Sequence, residues 1–399
     1  MASSPPSDES DPWVILRTVP RVAVHTWDRD LSFDLVDPPR LSFLTVSTRV
    51  SPARPRGTTS SVIRLPRIVS ADLSASLFLT LTPTPHPTAS SSSAATDICC
   101  FVLDAASSTS HRVPDPAPGF ARSPFGIIAA PDGASFMVVG LRCPIGNDRG
   151  SLHCFSSRTG GWVTKDVNNP RPHRTWTFSD VIAHDGKLWW VDSTPSTTKG
   201  LLYCDPFADQ PSMSFVPFPT HVTAVEARAK ATAYDYVQVA DGKLRWVHVL
   251  CDLDETVDEA PVLNGAPLLS IYALLGGVDG GGGGYRLDFE LLPHWRGDFS
   301  FCFIWESDTF KAAEMPKVEQ PVLALIDPND TDLLYFFLGG YIFGFDIFKR
   351  VVLGYAPHGI ADPHASSSSS LLAWKLPPAL AAPAARRFGG RPLNNGGAN

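Results

Sequence analysis

Apolar residues along this chain recur in short runs broken by Gly, Pro, Asp and Ser, a spacing that predicts β-strands rather than amphipathic helices. Three Asp-Gly pairs, Asp132-Gly133, Asp185-Gly186 and Asp241-Gly242, lie 53 and 56 residues apart. Each follows one apolar run and precedes another. A tight I′ hairpin needs two central residues that tolerate positive φ, and Asp followed by Gly supplies both. The strands after the turns are Ser135 to Leu141, Lys187 to Asp192 and Lys243 to Val249, and the last two share the string Asp-Gly-Lys-Leu-x-Trp-Val.

Further hairpins follow the same pattern. Ile98 to Leu103 turns at Asp104 and returns as His111 to Val113. Leu152 to Phe155 returns as Trp162 to Thr164, and Leu201 to Cys204 as Phe215 to Phe218. Leu269 to Leu275 returns as Tyr285 to Leu291, and Tyr341 to Phe345 as Val351 to Tyr355. The outer two are preceded by their own apolar strands, Ser76 to Leu81 and Leu333 to Leu338. Four antiparallel strands per period predict an all-β, β-propeller-like fold of about five or six four-stranded blades, with paired β-sandwiches as the alternative.

Alternation within the repeated strand assigns faces. Leu188, Trp190 and Asp192 share one face, as do Leu244, Trp246 and His248 one repeat later. Leu and Trp recur in register, so Trp190 and Trp246 are expected in the core. On the other face Arg245 stands where Trp189 stood, the mark of a position that packing does not dictate. Trp189 is therefore the better candidate for an exposed binding aromatic.

Composition narrows the class. With 37 Pro among 399 residues, a long-helix bundle is excluded; with 44% hydrophobic and 18% charged residues, so is a disordered chain. One domain is expected over residues 13–362, between a disordered N-terminus (1–12) and a low-complexity, disordered tail (363–399) that opens on a serine run. The net charge of -7 gives no electrostatic reason for nucleic acid as a partner. No unbroken apolar stretch is long enough for a membrane span. The polar first dozen residues lack the basic and apolar regions of a secretory signal, so a cytoplasmic or nuclear location is expected. Seven Cys without a C-x-x-C pair read as reduced core thiols.

Candidate chemistry is sparse, and no catalytic residue, cofactor or metal is expected. Asp252 and Asp254 lie two apart, as in a calcium loop, but the central Gly and terminal Glu are missing, so they read as an acidic surface loop. The Gly280 to Gly284 run leads into a strand at Tyr285 instead of a helix, which suits a hairpin tip and not a phosphate cradle. No G-x-S-x-G elbow is present. His184, beside Asp185, has the chemistry of a general base, yet its place at a turn suits side-chain hydrogen bonding.

The strings Asp180 to Asp192 (DVIAHDGKLWWVD), Leu201 to Phe207 (LLYCDPF) and Pro321 to Arg350 (PVLALIDPNDTDLLYFFLGGYIFGFDIFKR) resemble the plant family called domain of unknown function 1618, expanded in grasses. The resemblance runs from about Trp13 to Gly354 and implies no established activity. In strand spacing the chain is also similar to the propeller-like regions of F-box proteins, although nothing in it reads as an F-box. A non-enzymatic module that binds a protein or peptide follows, with rim loops carrying His184, Asp185, Trp189, Asp252, Asp254 and Tyr285 as its surface. The alternative is a hydrolase or lyase acting in a central channel, which requires His and acidic side chains from different blades to converge there.

Overall fold

The computed structural model describes residues 11–23, 29–50, 65–84, 97–116, 124–194, 198–219, 231–254, 262–263, 268–278, 285–291, 299–315, 321–360 and 370–382. The described strands form six blades, five antiparallel throughout and a first in which Leu41–Val46 runs parallel to both Trp13–Arg17 and Arg21–Val22. Blades 2, 3 and 4 run, from inner to outer strand, Arg67–Asp72 to Thr109–Val113, Phe125–Ala129 to Gly161–Asn168, and Phe178–His184 to Ser214–Pro217. Blade 5 runs from Ala231–Ala240 to Tyr285–Leu291, and blade 6 from Val322–Ile326 to Val351–Pro357.

Blade 1 joins the two ends of the chain. Its innermost strand is Leu371–Lys375, paired antiparallel with Trp13–Arg17 from Trp13↔Lys375 to Arg17↔Leu371. This corrects the expectation that everything after residue 363 is disordered. The run LLAWK is apolar enough to fill an inner position, with Trp374 fully buried. Its isolation behind the serine run hid it from strand spacing.

Six hydrophobic clusters among the described residues occupy the six junctions between neighbouring blades, so each sheet is covered on both faces and the ring closes. That arrangement replaces the paired-sandwich alternative. Leu188 and Trp190 of blade 4 face blade 3, whereas Leu244 and Trp246 of blade 5 face blade 4. The recurrent Leu and Trp therefore serve the same junction one blade apart, as the register predicts. Two short helices, Cys302–Glu306 and Asp308–Ala312, lie between blades 5 and 6 and bring Ile304 and Phe310 into that junction.

Turn chemistry matches at two Asp-Gly pairs and departs at the third. Asp185 and Asp241 have φ of 49° each, followed by Gly186 at 68° and Gly242 at 64°, the I′ pattern. At Asp132 the preceding Pro131 fixes a negative φ, so residues 130–133 close a turn through Gly133 N–H donating to the Ala130 carbonyl (2.8 Å). Only Gly133 there is left-handed, at 66°.

The cysteines divide. Cys100, Cys154 and Cys204 are buried, Cys99 and Cys143 are half-buried, and Cys302 is exposed on its helix, against the expectation of core thiols throughout. Burial pushes the Cys154 thiol up to about 11 and Cys100 up to about 12. The side chain of Cys251 lies outside the described residues.

Candidate functional site

The inner strands surround an axial cavity of about 210 Å³. Five of the six contribute to its lining: those of blades 1, 2, 4, 5 and 6. The reason is a contact between non-consecutive blades. Ala71 of blade 2 pairs in parallel with Ile182 of blade 4, setting the inner strand of blade 3 back from the axis.

Ser70 fastens this arrangement. Its hydroxyl donates to the Val181 carbonyl (3.0 Å) and accepts from the Ile127 N–H (3.2 Å), joining blades 2, 4 and 3 at one atom. Asp72 Oδ2 accepts from Ala129 N–H at 2.8 Å, extending the seam between blades 2 and 3. Gly126 permits the close approach, because a Cβ there would lie 2.5 Å from Val181 Cγ1. On the far side Gln238 plays the same part between blades 5 and 6. Its Nε2 donates to the Ile326 carbonyl (2.7 Å) and its Oε1 accepts from the Ile326 N–H (3.0 Å). Each bridge satisfies backbone groups that the edge of an inner strand would otherwise leave unpaired beside the axis.

Three inner strands carry a β-bulge, at Val69 in blade 2, Ser179 in blade 4 and Ala324 in blade 6. An extra residue tightens the local twist and re-aims the next side chain. In blade 4 the residue after the bulge is Asp180, which lines the cavity. Burial pushes its carboxyl up to about 7, against the lowering effects of the Val181 N–H and the more distant Arg67.

His184 and Asp185 also line the cavity, at the end of the same inner strand. Burial holds the His184 imidazole below its ordinary value, opposed by Asp185 and assisted by Lys187. Trp189 does not project from this rim. It is 3% exposed, stacks on Tyr203 with centroids 4.4 Å apart, and donates its Nε1–H to the His184 carbonyl (3.1 Å). The expectation of an exposed binding aromatic is thus corrected: in a blade covered on both faces, the side opposite Trp190 is also core. Arg245 shows the same error, being 3% exposed with its guanidinium paired to Asp241 at 3.3 Å.

The remaining expected site residues are not gathered with His184. Asp252 and Asp254 lie on the second strand of blade 5, Lys243–Asp254, where Asp252 pairs with Ala231 at the start of the inner strand. That is the end of the blade opposite the Asp241-Gly242 turn. Tyr285 begins the outer strand and pairs with Val278. The side chains of Asp252, Asp254 and Tyr285, like the 279–284 glycine segment, lie outside the described residues.

Hairpin spacing did not reveal a second surface, on the outer part of blade 6. Tyr341, Phe348, Leu353 and Tyr355 are 40%, 76%, 53% and 50% exposed, and the Tyr341 ring meets that of Tyr355 edge-on at 5.9 Å. A bulge at Leu353 interrupts the outer ladder. The string VVLGYAP is apolar on both faces and reads as core. Its exposure comes from its place as the outermost strand of the blade, at the rim of the closed ring, where only Val352 and Ala356 reach the junctions with blades 5 and 1.

The β-propeller family described as F-box protein At3g26010-like matches residues 99–250, from the third strand of blade 2 into blade 5. A second family covers the later blades. Residues 190–335 match DUF1618, a protein family of unknown function. The DUF1618 match bears out the family resemblance over that span. No curated protein matches the chain. Among solved structures, an α-L-arabinanase of Penicillium chrysogenum is similar at 11% identity, with 67% of this chain and 74% of that one covered and a TM-score of 0.31. The Cps50 (Swd1) β-propeller domain of Myceliophteria thermophila aligns at 8% identity over 80% of this chain and 100% of that one, with a TM-score of 0.33. Prolyl oligopeptidase B of Galerina marginata aligns at 11% identity over 76% of this chain but 37% of its own, with a TM-score of 0.35. Among the described residues no helix is long and apolar enough to cross a membrane.

Proposed function

We propose that this chain is a non-enzymatic interaction module that docks a protein or peptide partner against the outer strand of blade 6. The observation that carries the reading is the exposed strip of Tyr341, Phe348, Leu353 and Tyr355. The Tyr341 and Tyr355 rings meet, Leu353 precedes Tyr355 by two residues on the same strand, and Phe348 stands in the turn between the two strands. Exposed apolar surface marks an interaction site, and aromatic residues supply most of the binding energy where such sites are used. No described strand pairs with the outer edge of Val351–Pro357; Thr309 of the second short helix caps it at the Val352 N–H (2.7 Å), which leaves the part beyond Val352 for an added strand. The bulge at Leu353 limits indiscriminate pairing along that edge.

The competing hydrolase or lyase reading draws less support from the cavity. Asp180 and His184 stand four residues apart on one strand, a separation of roughly 13 Å, too far to share a proton. The closest described His–carboxylate pair, His248 Nδ1 to Asp235 Oδ1 at 3.0 Å, lies within blade 5. Affinity capture with the wild-type chain and a Leu353→Lys/Tyr355→Lys double variant tests the docking proposal. Selective loss of a reproducible partner supports it, and unchanged recovery refutes it.

A further inference from the structure

We infer that the axial cavity is a binding site for a small amine: a compact apolar body carrying one cationic nitrogen that Asp180 receives. This goes beyond the docking surface of blade 6 and does not depend on it. The cavity walls are largely aliphatic, from Ile68, Ile182, Val237, Leu325 and Leu372 among others. At about 210 Å³ the space exceeds the ~150 Å³ apolar cavity that accommodates benzene, so a single ring with a short chain, roughly ten non-hydrogen atoms, fits it.

Asp180 supplies the specificity. Its Oδ1 accepts from the Val181 N–H at 3.1 Å, and no described residue donates to Oδ2. Arg67, the nearest cation acting on it, does so through space without a hydrogen bond. A half-buried carboxyl that lines a largely aliphatic cavity, placed after a bulge and with one oxygen short of a protein donor, favours a ligand that completes it. An ammonium group restores both the missing donors and the balancing charge. A neutral or anionic head of the same size does not. The upward displacement of the Asp180 carboxyl agrees with this, since it marks an acid that lacks a compensating cation.

The test is calorimetric titration of the full chain with 2-phenylethylamine, 2-phenylethanol and 3-phenylpropanoate as probes. The amine is expected to bind wild type, and the alcohol and the acid to bind at least roughly tenfold more weakly. Asp180→Asn keeps an acceptor for the Val181 N–H and should weaken the amine by a similar factor. Val237→Phe, which fills the cavity from blade 5, should abolish binding of all three. Circular dichroism and melting profiles establish that both variants fold. Failure of wild type to bind the amine, equal binding of the alcohol, or undiminished amine binding by folded Asp180→Asn overturns the proposal.

Discussion

The hydroxyl of Ser70 donates to the carbonyl of Val181 across 3.0 Å, linking the inner strands of two blades that are not neighbours in the chain. The same oxygen accepts from Ile127 N–H, so one side chain satisfies a donor and an acceptor where three blades meet. Ser70→Ala removes both partners from buried backbone groups. A loss of about 1–3 kcal/mol is expected, seen as a lower urea midpoint with an unchanged slope.

Gln238 makes the equivalent bridge to Ile326. In Gln238→Ala the Ile326 amide loses its acceptor, and its hydrogen exchange should accelerate strongly. Amides at the Ser70 seam should keep their wild-type rates. Uniform acceleration around the ring would instead mean that the seams open together.

Most of the architecture could be read from the sequence, because it is written locally. Asp185-Gly186 and Asp241-Gly242 specify their turns without help from distant residues, and Leu188/Trp190 recur one repeat later as Leu244/Trp246. What escaped depends on contacts remote in the chain. Leu371–Lys375 becomes an inner strand only by pairing with Trp13–Arg17. Trp189 and Tyr355 show the limit for sites. Both sit on apolar strands, and whether a neighbouring blade covers them follows from the strand's place in its blade, second for Trp189 and outermost for Tyr355, which alternation along one strand does not encode. Asp180 was part of a recognised string, but its bulge and cavity position were not visible in it.

Asp180 should make stability fall with rising pH. Its folded value of about 7 lies above the unfolded 3.8, so its protonated form favours folding fully below about pH 4, and that advantage is lost as the pH rises through 7. Arg67, His184 and Asp185 are the other ionisable groups at or near this carboxyl and are left intact. Asp180→Asn should match wild type near pH 4 and exceed it above pH 7 by up to about 4 kcal/mol, measured by denaturant unfolding across that range.

Asp235 should behave in the opposite sense. Burial alone would push its carboxyl up, but the hydrogen bond from His248 and the charge of Lys199, whose Nζ lies 2.7 Å away, hold it at about 2. The stability it contributes, about 2 kcal/mol, is present above pH 4 and lost as the pH falls toward 2. Asp235→Asn should flatten the acid limb of the stability profile over that window.

Gly200 and Gly161 give a contrasting pair. A Cβ at Gly200 would lie 2.1 Å from the Val216 carbonyl oxygen and 2.9 Å from Pro217 Cα, whereas at Gly161 nothing lies within 4 Å. Gly200→Ala should cost about 1–3 kcal/mol or more, since backbone must shift, and Gly161→Ala should stay within about 0.5 kcal/mol of wild type. Thermal unfolding of the two variants side by side checks this.

The docking role of blade 6 is tested most directly by placing a benzophenone amino acid at position 355 and irradiating the full chain in its native cells. Position 163, on the outer strand of blade 3 and 57% exposed as Val163, serves as the control. A discrete adduct at 355 that disappears with Phe348→Lys, and none at 163, is the predicted result. No adduct at 355, or equal adducts at both positions, would contradict the account.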